Sequence, residues 1–557
     1  MPTPTTLSRR SFLRPHLAPA AAPAMVSSAS GLEPYTGPWT KQEAGHLLAR
    51  ATFGATFETL RTATEQGLEA TLDQLLTELP LPTPPIAEED DGITPAGESW
   101  TEYAYPENVG ERIVAVRIRK NSFRSWLNKL RVEEGISARE TMVLFWHDHF
   151  ANDLYQDVRW NYLHSTLLRE NAFGDFRQLV KDVTVDPVML AFLNGNQNTV
   201  RRPNENYARE LLELFTVGKG PQVGPGDYTN YTEEDVVAMA RSLTGWRTQR
   251  TFASDVTLPL TAEFVPARHD AEAVQLSPRF GSIQFPSTGE TTYQRLVDLI
   301  FEKDAAAEFL ARKLYRWFVY YEITDAVEAN VIQPLAALLR ANDYVVGPVV
   351  RTLLGSQHFF DVQSQGPMIK HPIQYVVGLV RQFAVIPVNP NNPDQQFYNA
   401  LFVRADQMGM GDFRAPSVSG WPAFYQEPLF YRSWINSSTL ALRNKMINNL
   451  FRRTPGIQGY GVVDFSLLAL VRQFPDPVAL WPMIDEWVSL LFPRPIPEGQ
   501  REALRELLLP GLPETQWSVE YATLLANPND EGLATSLENN LRRMVRAMTE
   551  MPEYQLI

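Results

Sequence analysis

The stretch Met142-Val-Leu-Phe-Trp-His-Asp-His-Phe150 decides the fold. When it is projected onto an α-helix at about 100° per residue, its apolar side chains point in nearly every direction around the helix axis. A helix that is apolar on all sides is buried in the body of a protein. The stretch therefore predicts a central helix within residues 138–153, enclosed by other elements of a large core.

Helical periodicity continues from this central helix toward both ends of the chain. We predict further helices at residues 107–135, 158–169, 173–183, 204–217, 292–321, 325–341, 345–358 and 371–385. Thr232-Glu-Glu-Asp235 has the spacing of a capping box and predicts another helix start. Region 247–290 instead mixes apolar residues with Thr, Ser and Pro, which is typical of short strands.

The predicted fold class is therefore mainly α, a large helical bundle-like body with a small β-hairpin insert near residues 250–290. Residues 38–557 are expected to form a single large mainly helical domain. Its expected sub-domains are residues 38–246, the insert 247–290 and residues 291–557.

Composition restricts the function classes. The chain has 557 residues, a formal net charge of -14 and no cysteine. The negative charge disfavours nucleic acid as a partner. The absence of cysteine excludes disulfides, thiolate nucleophiles and cysteine-ligated metals, so any metal would have His, carboxylate, amide or backbone ligands. No apolar run after the first thirty residues reaches the roughly 18 residues of a transmembrane helix, so no transmembrane segment is expected.

Residues 1–30 have the features of an export signal. The stretch Leu7–Arg14 contains the pair Arg9–Arg10, one variable residue and then Phe-Leu, which resembles the twin-arginine export consensus. Residues 16–30 are rich in Ala, Pro and Ser and include no acidic residue. We predict a twin-arginine signal and a periplasmic or secreted location; the alternative is an N-terminal tail with a chance arginine pair.

Polar residues interrupt the central helix. His147, Asp148 and His149 stand in an apolar neighbourhood and need partners there. On a helix His147 and His149 point about 160° apart, so they cannot both bind one metal ion. Both histidines are candidate catalytic residues; alternatively, they are hydrogen-bonded structural side chains.

A stripe of polar residues follows on the predicted helix 204–217. Asn206, Arg209, Glu210 and Glu213 fall on one side of this helix, opposite its apolar residues. Asn206, Glu210 and Glu213 offer oxygen ligands to a hard cation, which would make a divalent metal the cofactor. Glu210 is alternatively a catalytic base next to Arg209, and the simplest alternative is a solvated helix face with internal ion pairs.

His269 and Asp270 form a further candidate pair in the insert. A loop histidine beside an aspartate can act as an acid, a base or a ligand. The alternative is a pair of turn residues without a chemical role.

Ten blocks of the sequence resemble a known family. They are His46–Gly54, Met142–Phe150, Leu168–Phe176, Pro203–Phe215, Tyr231–Val236, Leu243–Trp246, His269–Asp270, Ile369–Pro372, Pro416–Trp421 and Ser433–Ser437. In this order, over nearly the whole mature chain, they resemble the bacterial family catalogued as domain of unknown function 1800. The chain departs from the family at Ala271–Val274 and at His371, where Ser is commoner.

The resemblance implies an exported, mainly helical protein and no established activity. Members commonly occur beside a second exported family that resembles sulfatases and phosphatases, so an exported partner protein is expected.

Two functional hypotheses follow. The first is an exported metal-dependent hydrolase or oxidoreductase that acts on extracellular material, with a site assembled from His147, His149, the stripe and His269-Asp270. The second is a non-catalytic exported scaffold or binding protein that works with a partner protein. Side chains that converge in a cleft favour the enzyme, whereas dispersed and fully paired side chains favour the scaffold.

Overall fold

The computed structural model describes residues 31–155, 157–248, 252, 260–388, 394–452 and 454–557. The predicted twin-arginine segment, residues 1–30, lies outside the described residues. The structure is 57% helical, with a few small antiparallel strand pairs. This confirms the predicted mainly α fold class.

The helices of the first half of the chain are grouped around the predicted central helix, which is α5. They are α1 (Lys41–Ala51), α2 (Phe57–Gln66), α3 (Leu68–Leu75), α4 (Val109–Glu133), α5 (Arg139–His149), α6 (Val158–Glu170), α7 (Phe176–Thr184), α8 (Pro187–Phe192), α9 (Glu205–Glu210) and α10 (Glu233–Ser242). A π-helical segment, Leu211–Thr216, continues α9.

The second half is also mainly helical. Its helices are α11 (Thr292–Phe301), α12 (Asp304–Phe318), α13 (Asp325–Val327), α14 (Gln333–Ala341), α15 (Val346–Leu354), α16 (Pro372–Gln382), α17 (Asp394–Gln407), α18 (Ser437–Leu450), α19 (Leu467–Val471), α20 (Leu480–Leu491), α21 (Glu498–Leu508), α22 (Thr515–Ala526) and α23 (Glu531–Glu550). A π-helical segment, Glu328–Ile332, joins α13 to α14. Among the described residues, no helix is both long enough and apolar enough to cross a membrane.

Short 3-10 helices connect several of these elements. They are Gly195–Gln197, Pro266–Arg268, Pro278–Phe280, Gly289–Thr291, Val362–Ser364, Pro422–Phe424, Phe430–Trp434 and Pro552–Gln555.

The strands are short and pair in antiparallel fashion. The pairs are β1 (Gln222–Gly224) with β2 (Asp227–Tyr228), β3 (Trp246–Thr248) with β4 (Ala262–Phe264), and β5 (Val274–Gln275) with β6 (Gln284–Phe285). β7 (Ile386–Pro387) and β8 (Gly456–Ile457) lie on either side of β9 (Gly461–Asp464). The predicted hairpin insert is thus observed as the pairs β3–β4 and β5–β6.

The predicted capping box begins α10. The Thr232 hydroxyl accepts from the backbone N–H of Asp235 at 3.3 Å, and the Asp235 carboxylate accepts from the N–H of Thr232 at 2.8 Å. The same carboxylate accepts from the N–H and the hydroxyl of Ser277, at 2.8 and 2.6 Å. One aspartate therefore caps the helix and attaches the insert to it.

Helix α5 is enclosed on all sides, as predicted. Every residue from Glu140 to His149 is buried. Its apolar side chains belong to a hydrophobic cluster whose members range from Ala44 to Ile557. The ring of Trp146 stacks on Phe176 of α7, with centroids 5.2 Å apart and an angle of 12° between the ring planes.

Buried ion pairs fix the neighbours of α5. Glu140 of α5 accepts two hydrogen bonds from Arg169 of α6, at 2.7 and 2.8 Å, and these side chains are only 1% and 0% exposed. Arg131 of α4 likewise donates to both carboxylate oxygens of Asp412, at 2.6 and 2.7 Å. A buried charge is tolerated when an opposite charge pairs with it closely, so the first pair holds α6 against α5 and the second holds α4 against the segment after α17.

We predict that Glu140→Gln lowers the free energy of unfolding by about 3 kcal/mol, because Arg169 then keeps a buried charge without an anion. Urea unfolding of the purified protein measures this change. Glu205→Gln is the control, since Glu205 makes an exposed ion pair with Arg209 and its loss should hardly change stability. Equal effects of the two substitutions would contradict the role given to Glu140.

Candidate functional site

The two histidines of α5 bind different parts of the protein. Nε2 of His147 accepts a hydrogen bond from the backbone N–H of Phe413 at 2.9 Å, and its ring packs against the rings of Phe413 and Trp421. Burial lowers the pKa of His147 to about 3, although the nearby Asp412 charge acts in the opposite direction. His147 is thus a neutral side chain that holds the loop around Phe413.

His149 connects α5 to α12 and to the end of the π-helical segment. Its Nε2–H donates to the carbonyl of Phe215 at 2.9 Å, so Nδ1 carries no proton and accepts from the amine of Lys313 at 3.1 Å. Burial first, and then the charge of Lys313, hold the pKa of His149 well below its ordinary value. Both ring nitrogens therefore have fixed roles, one as donor and one as acceptor.

Lys313 lies on α12, and its hydrogen-bond acceptors among the described residues are a ring nitrogen and a carbonyl rather than a carboxylate. Besides His149, its amine lies 3.5 Å from the carbonyl of Leu214. Burial lowers the pKa of Lys313 to about 8, an effect that the charge of Asp148 partly offsets. The amine is therefore much easier to deprotonate than that of an exposed lysine.

The pKa of Asp148 is shifted in the opposite direction. Burial raises the pKa of Asp148 to about 7, while the Lys313 charge and a hydrogen bond to its Oδ1 from the N–H of Trp421, 2.8 Å long, act against the shift. Lys313 donates to His149 rather than to Asp148, so its charge acts on the Asp148 carboxylate without a direct ion pair. We call Asp148, His149 and Lys313 the acid–base centre.

Gly420 permits the contact between Asp148 and Trp421. Its φ is +85°, and a Cβ on it would collide with both Oδ1 and the carbonyl oxygen of Asp148. Only glycine fits this backbone conformation and this close approach. The glycine of block Pro416–Trp421 therefore has a direct role in placing the acid–base centre.

The first two residues of the predicted stripe, Asn206 and Arg209, have hydrogen-bond partners within the protein. Arg209 donates two hydrogen bonds of 2.7 Å to Glu233 of α10 and one of 3.2 Å to Glu205. Asn206 is exposed, and its side chain donates to the carbonyl of Leu193 at 3.1 Å.

The two predicted carboxylate ligands of the stripe differ from one another. Glu213 accepts from the hydroxyl of Tyr231 at 3.0 Å and forms an ion pair with Lys219 at 3.1 Å. The pKa of Glu210 is raised, first by burial and then by the charge of Glu213. The Glu210 carboxylate is therefore the less compensated of the two.

The stripe and the histidines meet only through the backbone in the part of the chain that is described. His149 contacts the carbonyl of Phe215 in the segment that continues α9, and no described hydrogen bond or ion pair joins His147 or His149 to Glu210 or Glu213. Within the same residues, no group of three or more His, Asp or Glu side chains could hold a metal ion. The catalytic and metal-binding roles assigned to the stripe stay predictions.

His269 and Asp270 fasten the insert to the end of α10. Nδ1–H of His269 donates to the carbonyl of Thr244 at 2.8 Å, and Nε2 accepts from the hydroxyl of Ser287 at 2.8 Å. Asp270 accepts from Arg241 at 2.7 Å, and this hydrogen bond lowers the pKa of Asp270. Their catalytic role also stays a prediction, with each side chain held by partners at the insert.

The two departures from the family pattern have structural explanations. His371 begins α16, where its ring accepts from the N–H of Gln374 at 3.2 Å. Serine is a common residue at this helix position because its hydroxyl makes the same kind of contact. Glu272, within the other departure, forms an ion pair of 2.7 Å with Arg241.

No motif marks Lys313 in the sequence. The signal that identifies it is its position between Leu310 and Trp317, which are its neighbours on one face of α12. A lysine on an apolar helix face either reaches to solvent or is desolvated, and only the packing of α5 against α12 decides which.

The comparison with known proteins gives one family. The model of the family described as "Protein of unknown function (DUF1800)" matches residues 46–556, nearly the whole chain. No curated protein and no solved structure matches the chain.

We predict that Lys313 titrates near pH 8 in the folded protein, because burial disfavours its charged form. Reductive methylation with ¹³C-formaldehyde makes each lysine visible by NMR, and Lys313→Arg identifies the resonance by its loss. In Asp148→Asn the same resonance should titrate at still lower pH, since a negative charge that supports the ammonium is gone. An ordinary lysine titration near pH 10.4 would contradict this assignment.

Proposed function

The chain belongs to the DUF1800 family, and we propose that it is an exported enzyme whose chemistry takes place at the acid–base centre. Asp148 and Lys313 support the proposal, because burial brings their pKa values to about 7 and about 8. Acids and bases work best in catalysis when their pKa lies near the working pH, and such shifts are concentrated at functional sites.

The proposed reaction is hydrolysis of extracellular material. Asp148, in its ionised form, accepts a proton from the attacking water, and Lys313, in its ammonium form, donates a proton to the leaving group. His149 orients the Lys313 amine through Nδ1, because its own Nε2–H is fixed by the Phe215 carbonyl. A general base and a general acid are the two groups that hydrolysis requires, and we therefore propose a hydrolase.

A non-catalytic scaffold working with an exported partner is the second candidate. It is favoured by the side chains of Arg209, His269 and Asp270, which all have partners within the protein. The two candidates differ in what they require of Lys313. A scaffold requires only that the Lys313 side chain packs in place, whereas the enzyme requires the Lys313 amine to donate a proton.

We expect the purified protein to hydrolyse at least one class in a panel of chromogenic carboxylic esters, phosphate esters and glycosides. The rate should rise with pH through about 7 as Asp148 loses its proton, and fall above about 8 as Lys313 loses its own. Lys313→Met should lower kcat/KM by at least about 100-fold, the usual contribution of a positioned acid.

Lys181→Met is the matched control, since Lys181 is a partly buried lysine whose amine, unlike that of Lys313, pairs with a carboxylate, that of Asp298. It should leave the rate unchanged. Glu210→Gln tests the stripe in the same assay. If Lys313→Met keeps full activity and Glu210→Gln loses it, the reaction takes place at the stripe and not at the acid–base centre. Unchanged rates in both variants would favour the scaffold.

Export through the twin-arginine route is part of the proposal. Its support is the stretch Leu7–Arg14, with the Arg9–Arg10 pair, and the small residues that follow. Export in the folded state suits this protein. Its helix α5 and the buried partners of α5 come from distant parts of the chain and assemble only on folding.

We predict that Arg9→Lys with Arg10→Lys traps the precursor in the cytoplasm, because the paired guanidinium groups are the recognised feature. Cell fractionation followed by immunoblotting detects the retained precursor. Arg14→Lys, outside the pair, is the control and should be exported normally. Normal export of the double variant would contradict the assignment of residues 1–30.

A further inference from the structure

An open cleft of about 470 Å³ lies between the C-terminal end of α18 and the turn that joins β8 to β9. It is lined by Lys445, Asn449, Arg452 and residues 457–461. A narrow extension, which shares Lys445 and Asn449 with the cleft, reaches Arg404 on α17. We call the cleft and its extension the basic cleft.

The basic cleft collects positive charge without a counter-charge. Its charged lining residues are Arg404, Lys445 and Arg452, and among the described residues no Asp or Glu lines it. Within the same part of the chain none of the three cations forms an ion pair, whereas arginines such as Arg501 and Arg542 pair with carboxylates. On a chain with a net charge of -14, such a local excess of cations is a place where an anion can bind.

Arg404 is the least solvated of the three cations. It is half-buried, while Lys445 and Arg452 are exposed. Its Nε is enclosed and has no hydrogen-bond partner among the described residues. Burial lowers the pKa of Arg404, because the charged form has lost water without gaining an anion. A negative group in the cleft would supply the missing partner and make a charge-assisted hydrogen bond.

The β8–β9 turn holds two of these cations against its glycines. A Cβ atom on Gly459 would lie 3.9 Å from Nη2 of Arg404, and a Cβ atom on Gly456 would lie 3.0 Å from Nη2 of Arg452. Gly459 also has a φ of +97°, which residues other than glycine rarely adopt. Guanidinium groups from two separate parts of the chain therefore lie along one turn.

Two amide side chains complete the polar lining. They are Asn449 on α18 and Gln458 in the turn, and neither has a hydrogen-bond partner in the described part of the protein. An amide group can both donate and accept, as a sugar hydroxyl can. The lining thus offers cations to a charged group and amides to a hydroxylated carrier of that group.

We propose that the basic cleft binds a sugar that carries a phosphate or sulfate ester, with the ester group on the three cations and the sugar hydroxyls on Asn449 and Gln458. Three cations match the three free oxygens of such an ester, whereas a carboxylate has only two oxygens. No residue of the acid–base centre lines the cleft, so the proposal does not rest on the proposed function.

Ligand-observed NMR on the purified protein tests the proposal. The probes are glucose-6-phosphate, glucose-6-sulfate and glucose, together with inorganic phosphate and inorganic sulfate. At least one ester should bind at least about tenfold more tightly than glucose, because hydrogen bonds to a charged group contribute that much. The free ion of the same acid should bind more weakly than its ester, since only the sugar reaches the two amides.

Binding of one ester or of both supports the proposal and shows which acid the cleft accepts. Equal binding of ester and glucose, no binding of either ester, or a free ion that binds as tightly as its ester would overturn it. These comparisons use the unaltered protein, so they do not depend on the folding of any variant.

Lys445→Gln combined with Arg452→Gln locates the binding. Both side chains are exposed, so the fold should persist, and binding of the ester should weaken at least about tenfold while that of glucose stays the same. Arg472→Gln is the matched control, because Arg472 is an exposed arginine at the end of α19 that does not line the cleft. An unchanged preference in the double variant, or an equal loss in Arg472→Gln, would place the binding elsewhere and overturn the proposal.

Discussion

The enclosure of α5 is the constraint on which the rest of the structure depends. A helix without a solvent face depends on the inside of the protein for the partners of its ionisable side chains. Here those side chains are Glu140, His147, Asp148 and His149, and their partners lie on two helices and on the segment between α17 and Pro422. Glu140 pairs with Arg169, and His149 with Lys313. His147 and Asp148 accept hydrogen bonds from the backbone amides of Phe413 and Trp421, respectively. The desolvation of one helix thereby fixes the positions of α6, α12 and the segment between α17 and Pro422.

The same burial has different chemical results at different places. Asp412 is fully enclosed, yet two short hydrogen bonds from Arg131 keep its pKa below the ordinary value. Asp148 is equally enclosed, but its nearest cation, Lys313, donates to His149 instead, and its pKa rises to about 7. At Asp412 the close pair with Arg131 outweighs desolvation, whereas at Asp148 Lys313 makes no such direct pair. Burial thus lowers or raises the pKa of an aspartate according to whether an arginine pairs with it closely.

Features that depend on neighbours in the sequence could be predicted. The all-round burial of α5 follows from the order of apolar residues in Met142–Phe150, and the start of α10 follows from the spacing of Thr232 and Asp235. The divergence of His147 and His149 follows from helix geometry. The geometry of the stripe could be predicted less well. Its projection assumed α-helical spacing from Asn206 to Glu213, but α9 changes to a π-helical segment after Glu210, and a π-helical turn has a different spacing.

The sequence by itself determined a mainly α fold, the buried helix at its centre and the family of the chain, since periodicity, capping and motif order are all local or linear properties. Only the tertiary structure decided the site. Lys313 lies 164 residues from His149, and its amine reaches that ring only because α12 packs on α5. Arg50 likewise donates to the carbonyl of Ser364, 314 residues away, only because distant segments pack together. Desolvation depends on which distant surfaces meet, and no spacing along the chain specifies that meeting.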